Sequence, residues 1–322
     1  MSTTRNQVSV AKRNPKPPES ANITKVKKSS ASSAAGAFSQ DMKNTIITRY
    51  DIEKKLPCAG GRSVTLAYFT DMHSCCGPQE RGKILRLLDR IGPDAVLCGG
   101  DSFVARPGEP VEPAARFLGE IAERYLLLIG TGNHEYRTRI YPEQYGTMYE
   151  EYRRILRDSG AHVLEDRHIH LRLGGVPFDI SGFDMPRKYY GRLRRTVIPE
   201  EEIAKALGRP DPDAVSVLLA HSPGPLGAYL SWGADLTLCG HYHGGIMRIG
   251  RHHGLISPEF RLFPSNAYGH FQKNGKHAII SSGCGEHSLP LRIHNPREVV
   301  AVGFRLTDGG ETHGDTRKIA GI

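Results

Sequence analysis

The chain has 322 residues, of which 39% are hydrophobic, and it carries a formal net charge of +9 at pH 7. This length and composition are sufficient to bury a full core, and we expect one large domain rather than two small ones. The sequence contains no apolar run of the length that a membrane-spanning helix needs, which argues against an integral membrane protein.

Most of the positive charge lies in residues 1–43. Eight basic and two acidic residues give this segment a charge of +6, which leaves +3 for the remainder of the chain. The segment is rich in Ser, Ala, Lys and Pro and has no sustained apolar period, so it cannot bury enough surface to offset its ordering entropy. We expect a disordered basic tail over residues 1–43, a folded domain over residues 44–310 and a C-terminal tail over residues 311–322.

The tail has two interpretations. We favour a solubilising extension over a peripheral contact with anionic membrane, in which each basic residue near the surface would contribute about 1 kcal/mol. Because the charge is concentrated there, we expect no stable nucleic-acid partner. Cys98 and Cys239 end apolar runs, where cysteine behaves as a small buried hydrophobe, and this placement suits a reduced, cytoplasmic protein.

From residue 63 onward, short apolar runs alternate with segments of helical period. Residues 64–69, 94–98 and 125–130 are predicted strands. Apolar residues at spacings of three and four predict helices around residues 84–91, 118–125 and 149–156, and Gly92 and Pro93 end the first of these. This β-α-β-α order predicts a mostly parallel sheet covered by helices.

The second half of the chain is richer in strands. The predicted strands are residues 168–173, 177–181, 215–220, 235–239, 277–281 and 299–306, and Gly174 and Gly175 form a predicted hairpin turn between the first two. So many strands in one domain predict an α/β protein with two sheets packed on each other.

Polar residues with ligand chemistry follow five of the predicted strands. Because the carboxyl ends of strands in α/β sheets are where ligands gather, we expect these side chains to meet. They are Asp71 and His73 (D-x-H), Asp101 (G-D), Asn133 and His134 (G-N-H-E), His221, and His241 and His243 (G-H-x-H).

A nitrogen and oxygen ligand set of this kind suits Mn, Fe, Zn or Co rather than a thiolate site. Seven candidate ligands are too many for one ion and fit two ions about 3.5–4 Å apart. Two divalent ions with Asp71 and Asp101 would leave a positive pocket that suits hydroxide and phosphate. Taken alone, the pair His241 and His243, which would share one face of an extended segment, is more often a solvated edge, by about two to one.

The ordered set of these motifs resembles the calcineurin-like metallophosphoesterases, over roughly residues 64–306. The runs GHYHGG and SSGCGEHSLPLRIHNP are most similar to the YkuE/YaeI-like branch of that superfamily. The resemblance implies a two-sheet αββα sandwich of the metallo-dependent phosphatase type, with the site on loops at one edge.

The resemblance also implies a role for each residue. Two divalent ions, with manganese favoured over iron, zinc and cobalt, would be held by residues from all five motifs. Asp71, His73 and His243 would hold the first ion, Asn133, His221 and His241 the second, and Asp101 would bridge them. His134 would stabilise the transition state or protonate the leaving oxygen, and a hydroxide that bridges the metals would be the nucleophile.

These roles predict a dinuclear-metal phosphoester hydrolase, and we expect a phosphodiesterase or a pyrophosphatase. A phosphomonoesterase or nuclease of the same fold and a non-catalytic metal-binding scaffold are the alternatives. The expected partner is a phosphorylated small molecule or a lipid-linked substrate. The expected location is the cytoplasm, with the tail available for contact with a membrane surface.

A basic run at residues 185–196 contains the predicted substrate-binding residues, Arg187, Lys188 and Arg192. Arginine favours bidentate phosphate contacts, although a solvated basic face explains the run equally well. The family often has a further acidic residue shortly after Gly-Asp, whereas Ser102 and the apolar residues beyond it follow Asp101 here.

Overall fold

The computed structural model describes residues 45–57, 59–75, 77–191, 197–286 and 291–308. The predicted tails, residues 1–43 and 311–322, lie outside the described residues, and so do Cys76 and Arg192. Within the described ranges, none of the helices has both the length and the apolar character required to cross a membrane.

The first sheet has six strands in the order β1-β14-β2-β3-β4-β5, numbered along the chain. Their bounds are β1 Thr45–Lys55, β2 Ser63–Phe69, β3 Ala95–Cys98, β4 Leu127–Gly130, β5 His162–Leu164 and β14 Arg297–Thr307. Strand β14 runs antiparallel to β2 and parallel to β1, and the remaining neighbours are parallel.

The second sheet also has six strands, in the order β12-β13-β9-β8-β7-β6. Their bounds are β6 Arg167–Leu173, β7 Val176–Gly182, β8 Val215–Leu219, β9 Leu236–Cys239, β12 Gly269–Lys273 and β13 Lys276–Ile280. The hairpin predicted at Gly174 and Gly175 joins β6 to β7, and both glycines adopt positive φ. A two-stranded ribbon, β10 Arg248–Ile249 and β11 His253–Gly254, follows β9.

Seven helices accompany the sheets in the described part of the chain. They are α1 Pro78–Ile91, α2 Glu112–Ala122, α3 Asn133–Ile140, α4 Pro142–Tyr145, α5 Met148–Asp158, α6 Glu200–Leu207 and α7 Leu226–Trp232. The three predicted helices correspond to α1, α2 and α5, whereas α3, α4, α6 and α7 were not predicted. Short 3-10 turns occur at Arg187–Tyr189 and His243–Gly245.

Helix α1 shows how local sequence sets these bounds. Pro78 occupies the first turn, where its missing N–H is not needed. Ile84 and Leu88 lie on one buried face and pack in the core against the first sheet. Gly92 ends the helix in the left-handed conformation, at φ 61°, and its N–H donates to the Leu88 carbonyl.

The two sheets pack face to face through the alternate side chains of their strands. In β2, Leu66 and Tyr68 belong to the core between the sheets, whereas Ala67 and Phe69 pack against α1, α2 and α5 on the other face. Because strand side chains alternate, a central strand that is covered on both faces is apolar at nearly every position.

The second sheet repeats this arrangement on its own side. Val217 and Leu219 of β8 face the first sheet, while Leu218 packs with Ile203 of α6 and Trp232 of α7 on the outer face. The layers are therefore helices, sheet, sheet and helices. This confirms the predicted two-sheet αββα sandwich.

Candidate metal centre

The candidate ligands lie on loops that continue the strand pairing past the strand ends. The Asp71 N–H donates to the Gly100 carbonyl and the His73 N–H to the Asp101 carbonyl, each at 3.0 Å. In the second sheet, the Gly240 N–H donates to the His221 carbonyl at 2.9 Å. Backbone hydrogen bonds therefore fix the loops after β2, β3, β8 and β9 against one another before any ligand side chain is considered.

Five of the seven predicted ligands have a left-handed backbone. These residues are Asp71, His73, Asp101, His241 and His243, with φ of 56°, 46°, 51°, 66° and 47°. Each such residue costs on the order of 1–3 kcal/mol, and strain of this kind persists only where the surrounding structure over-determines it. The concentration of left-handed residues at the ends of parallel strands marks this edge as a functional site.

One group of ligands comprises Asp71, His73 and His243, whose ligand atoms lie within 4.8 Å of one another. The Nε2 atoms of His73 and His243 are 2.9 Å apart. Both face Oδ1 of Asp71, at 3.8 Å from His73 and 3.4 Å from His243. These are the three residues that the sequence assigns to the first metal ion.

A second group comprises Asp101, His221 and His241, again within 4.8 Å. Oδ2 of Asp101 lies 3.0 Å from Nε2 of His221 and 3.9 Å from Nε2 of His73 in the first group. The Asp101 carboxylate therefore lies between the two groups, in the position predicted for a bridging ligand.

Asn133 begins α3 immediately beside the second group. Its Oδ1 atom is buried and has no hydrogen-bond partner among the residues that the structure describes. A buried carbonyl oxygen without a donor is costly, and a cation would satisfy it. The residue after Asn133 links the start of α3 to Asp101, because the His134 N–H donates to Asp101 Oδ1 at 2.9 Å.

Hydrogen bonds assign the ring tautomer of His221. Its Nδ1 lies 2.9 Å from the Gly99 carbonyl oxygen, which can only accept, so Nδ1 carries the proton. Nε2, which lies 3.0 Å from Oδ2 of Asp101, is therefore the nitrogen that has a free lone pair when the ring is neutral. A histidine that donates from one ring nitrogen to a carbonyl and binds a metal through the other is the usual arrangement in metal sites.

The opposite tautomer is assigned to His134. Its Nδ1 accepts from the Ala105 N–H at 2.7 Å and lies 3.1 Å from the guanidinium nitrogen Nη2 of Arg137, which can only donate. The proton of the neutral ring is therefore on Nε2, which lies 3.9 Å from Oδ2 of Asp101. Burial lowers the pKa of His134 to about 4, so the ring is neutral at pH 7 and presents a donor to the site.

The charges of the site suit divalent cations. Burial lowers the pKa of His221, but the carboxylates of Asp101 and Asp71 outweigh burial and raise it to about 10. The proton on His221 thus balances buried negative charge, and a divalent cation would replace it in that role. The buried imidazole, carboxylate and amide groups of this site therefore fit divalent metal ions.

The G-H-x-H segment departs from the extended conformation considered from sequence. Strand β9 ends at Cys239, both histidines are left-handed, and His243 begins a 3-10 turn. The two imidazoles consequently join different groups, His243 with Asp71 and His241 with Asp101. Glycine at position 240 and a turn at Gly244 permit this path, which a continuing strand would not allow.

The structure gives the predicted substrate-binding residues an exposed position. Arg187 donates to the Tyr190 carbonyl, and Lys188 forms an ion pair with Glu202 at 2.6 Å. Their role in substrate binding stays a prediction, and Arg192 lies outside the described residues. Among the described residues of this loop, Tyr190 reaches the centre, with its ring centroid 5.9 Å from that of His241.

Glu135 supports the centre in a way that sequence reasoning did not identify. Its fully buried carboxylate accepts from the N–H groups of Asp101, Ser102 and Gly132, at 2.9, 2.7 and 3.0 Å. It therefore ties the loop after β3 to the loop after β4. This support for the loop that carries Asp101 comes from the first turn of α3.

Glu259 is a second supporting carboxylate that the sequence did not reveal. It is buried, and its Oε1 lies 3.1 Å from Nε2 of His241. A proton on Nε2 leaves the lone pair of His241 on Nδ1, so the carboxylate orients the ring and increases its basicity as a ligand. Residue 259 belongs to the segment between β11 and β12, and no local pattern there indicates contact with a histidine eighteen positions earlier.

Glycines allow the loops to approach this closely. A Cβ at Gly132 would overlap the Asp101 carboxylate, and one at Gly240 would overlap the Asp71 carboxylate and Thr70. The absence of a side chain at these two positions is therefore a steric requirement of the site.

Comparison with known proteins agrees with this geometry. A family model described as calcineurin-like phosphoesterase matches residues 64–245. An uncharacterized metallophosphoesterase of Aquifex aeolicus (strain VF5) is 27% identical over 261 residues, which cover 80% of this chain and 90% of that protein. A candidate metallophosphoesterase of Caenorhabditis elegans, F40B5.2, is 27% identical over 249 residues, which cover 74% of this chain but only 48% of that protein, so the chain spans about half of its length.

Among solved structures, TT1561 of Thermus thermophilus is 10% identical, with a TM-score of 0.44 over 70% of this chain and 92% of that chain. The matched family region covers more than half of the chain and includes all seven candidate ligands. Assignment to the YkuE/YaeI-like branch stays a prediction. The protein belongs to the calcineurin-like phosphoesterase family and is a metal-dependent phosphoester hydrolase.

Proposed function

We propose that the protein hydrolyses phosphodiester or pyrophosphate bonds at a centre of two divalent metal ions, with manganese favoured. The observation that carries this proposal is the position of Asp101, whose Oδ2 lies 3.0 Å from Nε2 of His221 and 3.9 Å from Nε2 of His73. A single carboxylate placed between two ligand groups supports a bridging role, in which the carboxylate binds both ions. A site with one ion would not need such a shared ligand.

The ions would supply positive charge to the phosphoryl oxygens and lower the pKa of water to near neutrality. The chain itself supplies a fixed hydrogen-bond donor, Nε2–H of His134, beside the Asp101 carboxylate. Because this ring is neutral, it stabilises negative charge on the departing oxygen or on a phosphoryl oxygen by donating a hydrogen bond. The backbone bond to Ala105 prevents the ring from rotating away.

The charge balance supports a singly charged phosphate group as the substrate. Two divalent ions bring +4, and the carboxylates of Asp71, Asp101 and Glu259 bring −3, while Glu135 and Arg137 add opposite charges beside the centre. The remaining charge is +1 before a metal-bound hydroxide is counted and zero after it, so a phosphodiester or an internal pyrophosphate link suits the site better than a dianionic monoester. A small molecule with a phosphodiester bond and a lipid joined through an internal pyrophosphate both meet this requirement.

Metal analysis followed by a substrate screen tests the proposal. Purified protein loaded with Mn²⁺ should contain two ions per chain and hydrolyse bis(p-nitrophenyl) phosphate or a nucleotide-sugar pyrophosphate faster than p-nitrophenyl phosphate. A preference for the monoester would contradict the assignment of substrate class. Binding of two ions without hydrolysis of any of these compounds would favour a non-catalytic scaffold.

The variant His134→Ala separates catalysis from metal binding. Because His134 presents a protonated nitrogen to the site, its removal should leave the metal content unchanged and lower kcat by about 10²–10⁴-fold. Asp101→Asn, which weakens the shared ligand, is the comparison variant and should lose metal. Loss of metal from His134→Ala would show that this histidine is a ligand and that the tautomer assignment is wrong.

A further inference from the structure

A second cluster of metal-ligating side chains lies outside the catalytic centre. His168, His170 and Asp179 place one ligand atom each within 4.8 Å of one another, and none of them belongs to the seven candidate ligands. His168 and His170 lie on β6, the edge strand of the second sheet, and Asp179 lies on the neighbouring β7. We propose that these three residues form a separate binding site for a transition-metal ion of the Zn²⁺ class.

The register of the two strands brings the residues together. His170 pairs directly with Asp179 in the antiparallel ladder, and His168 lies two positions away on the same face. The alternate residues Ile169 and Leu171 pack into the core between the sheets, so the two histidines project from the outer face of the second sheet.

This position is remote from the catalytic edge. Asp179 pairs with Ser216 at the start of β8, whereas the candidate ligand His221 follows the end of that strand. Five residues at about 3.3 Å each separate Ser216 from His221 by roughly 16 Å. The cluster is therefore a distinct site rather than an extension of the metal centre.

The distances fit a shared cation. Nδ1 of His168 and Nδ1 of His170 lie 3.6 and 3.7 Å from the same oxygen, Oδ1 of Asp179. Ligand atoms bound to tetrahedral Zn²⁺ at about 2.0–2.2 Å lie about 3.3–3.5 Å from each other. Small side-chain rotations would bring all three atoms onto one ion.

The Asp179 carboxylate provides independent support for a ligand. The residue is 2% exposed, and within the described ranges its Oδ1 has no hydrogen-bond partner. Its other oxygen, Oδ2, accepts from the Asp211 N–H at 3.3 Å, which holds the carboxylate in place. A buried carboxylate oxygen that is directed at two imidazole nitrogens, and that lacks a donor, requires a cation.

Asp211 also offers a fourth ligand. Its Oδ2 lies 4.0 Å from Nδ1 of His170, and its side chain is 35% exposed. Two neutral histidines and two carboxylates bring −2, which a divalent ion neutralises. Imidazole with carboxylate is a ligand set that Zn²⁺ accepts in fourfold coordination. The histidine side chains are 47% and 44% exposed, so an ion can enter from solvent.

An ion at this position would stabilise the edge of the second sheet by cross-linking neighbouring segments. It would join β6 to β7 and to the segment that carries Asp211 before β8. Binding to the folded state alone raises stability, so Zn²⁺ should raise Tm in proportion to the logarithm of its concentration. The alternative, a protonated histidine paired with Asp179, gives no dependence on zinc beyond that of the catalytic centre.

The test counts zinc ions on the full chain by equilibrium dialysis and elemental analysis. The double variant H168Q/H170Q should bind one zinc fewer than the wild type and keep its Mn²⁺-dependent hydrolase activity. H253Q, which removes an exposed histidine from β11, is the matched control and should bind the wild-type number. Equal zinc counts in the double variant and the control would overturn the proposal.

The variant D179N and a spectroscopic measurement add a second line of evidence. D179N removes the charge at nearly constant shape; it should also lose one ion and should show a smaller zinc-dependent rise in Tm than the wild type. Co²⁺ added to wild-type protein should give one more equivalent of tetrahedral visible absorption than Co²⁺ added to H168Q/H170Q. An identical cobalt spectrum in the two proteins would exclude the site even if a variant folds poorly.

Discussion

Replacing Glu135 with glutamine should weaken metal binding far more than it weakens the fold. The Glu135 carboxylate accepts three backbone N–H groups and so joins the loops after β3 and β4. Glutamine keeps one oxygen, which can still serve Asp101 and Gly132, but it turns its NH₂ group toward the Ser102 N–H. The loop after β3 then loses one of its three attachments to this side chain.

The effect on the stability of the metal-free protein follows from two opposing quantities. One lost charge-assisted bond and two weakened ones cost about 3–5 kcal/mol. Burial and the Asp101 carboxylate raise the pKa of Glu135 from 4.5 to about 7 even though backbone N–H groups lower it, so the cost of burying the charge, which glutamine removes, is at least about 3 kcal/mol. The two nearly cancel, and we expect Glu135→Gln to lower the free energy of unfolding by about 0–2 kcal/mol.

No opposing term offsets the loss of metal affinity in Glu135→Gln. Asp101 is the shared ligand, and loss of a residue that orients a ligand typically lowers metal affinity about 10–100-fold. Metal titration followed by calorimetry, together with urea unfolding of metal-free protein, measures both quantities. Glu143→Gln, at an exposed position on α4, is the control and should change neither. Wild-type metal affinity in Glu135→Gln would refute the role assigned to this carboxylate.

Three further substitutions test other contacts. Gly240→Ala should abolish metal binding because its Cβ would overlap the Asp71 carboxylate. The control is Gly227→Ala on α7, where the added Cβ has no described neighbour within 4 Å outside its own helix. This control should leave both metal content and Tm near wild type. Glu259→Gln should retain kcat per bound metal but lower metal affinity, since His241 loses the carboxylate that orients it; unchanged affinity would contradict this. Burial opposes ionisation of Asp235, but hydrogen bonds from the Lys54 side chain, the Ser216 N–H and the Lys276 side chain outweigh it and lower the pKa of the carboxyl group. The stability from Asp235 is therefore present above the unfolded pKa of about 3.9 and is lost as the pH falls through the folded pKa. Asp235→Asn should accordingly be less stable than wild type at pH 7 in urea unfolding, with a smaller difference at pH 3, and a constant difference would argue against the ion pairs.

The ligand motifs could be predicted because each follows directly after an apolar strand. The central strands are covered on both faces, so they appear in the sequence as uninterrupted apolar runs, and residues such as Asp71 and Asp101 mark where those runs stop. Parallel pairing then brings the ends to one edge. The order of strands and the positions of their ends were enough to expect the ligands at one edge, whereas their division into two groups came from the resemblance to the calcineurin-like metallophosphoesterases.

Other elements carry no comparable signal. Strand β1 is an edge strand with charged residues on a largely exposed surface, and its pairing with β14 is distant in sequence. Helix α3 has no apolar stripe because its first turn is held by Glu135 and the metal loops instead of by core packing. The contacts of Glu135 and Glu259 depend on loop geometry, including the left-handed residues, which no periodicity records.

The position of β14 in the first sheet has a consequence for synthesis. This strand lies between β1 and β2, so an N-terminal strand and the strand that leads to Asp71 are brought into one sheet only by residues 297–307. While the chain is still emerging from the ribosome, β2 has an open edge, which is a template for aggregation. Residues 297–307 therefore have to be synthesised before this layer can close, and a nascent chain stalled before β14 would depend on chaperones to keep that edge covered.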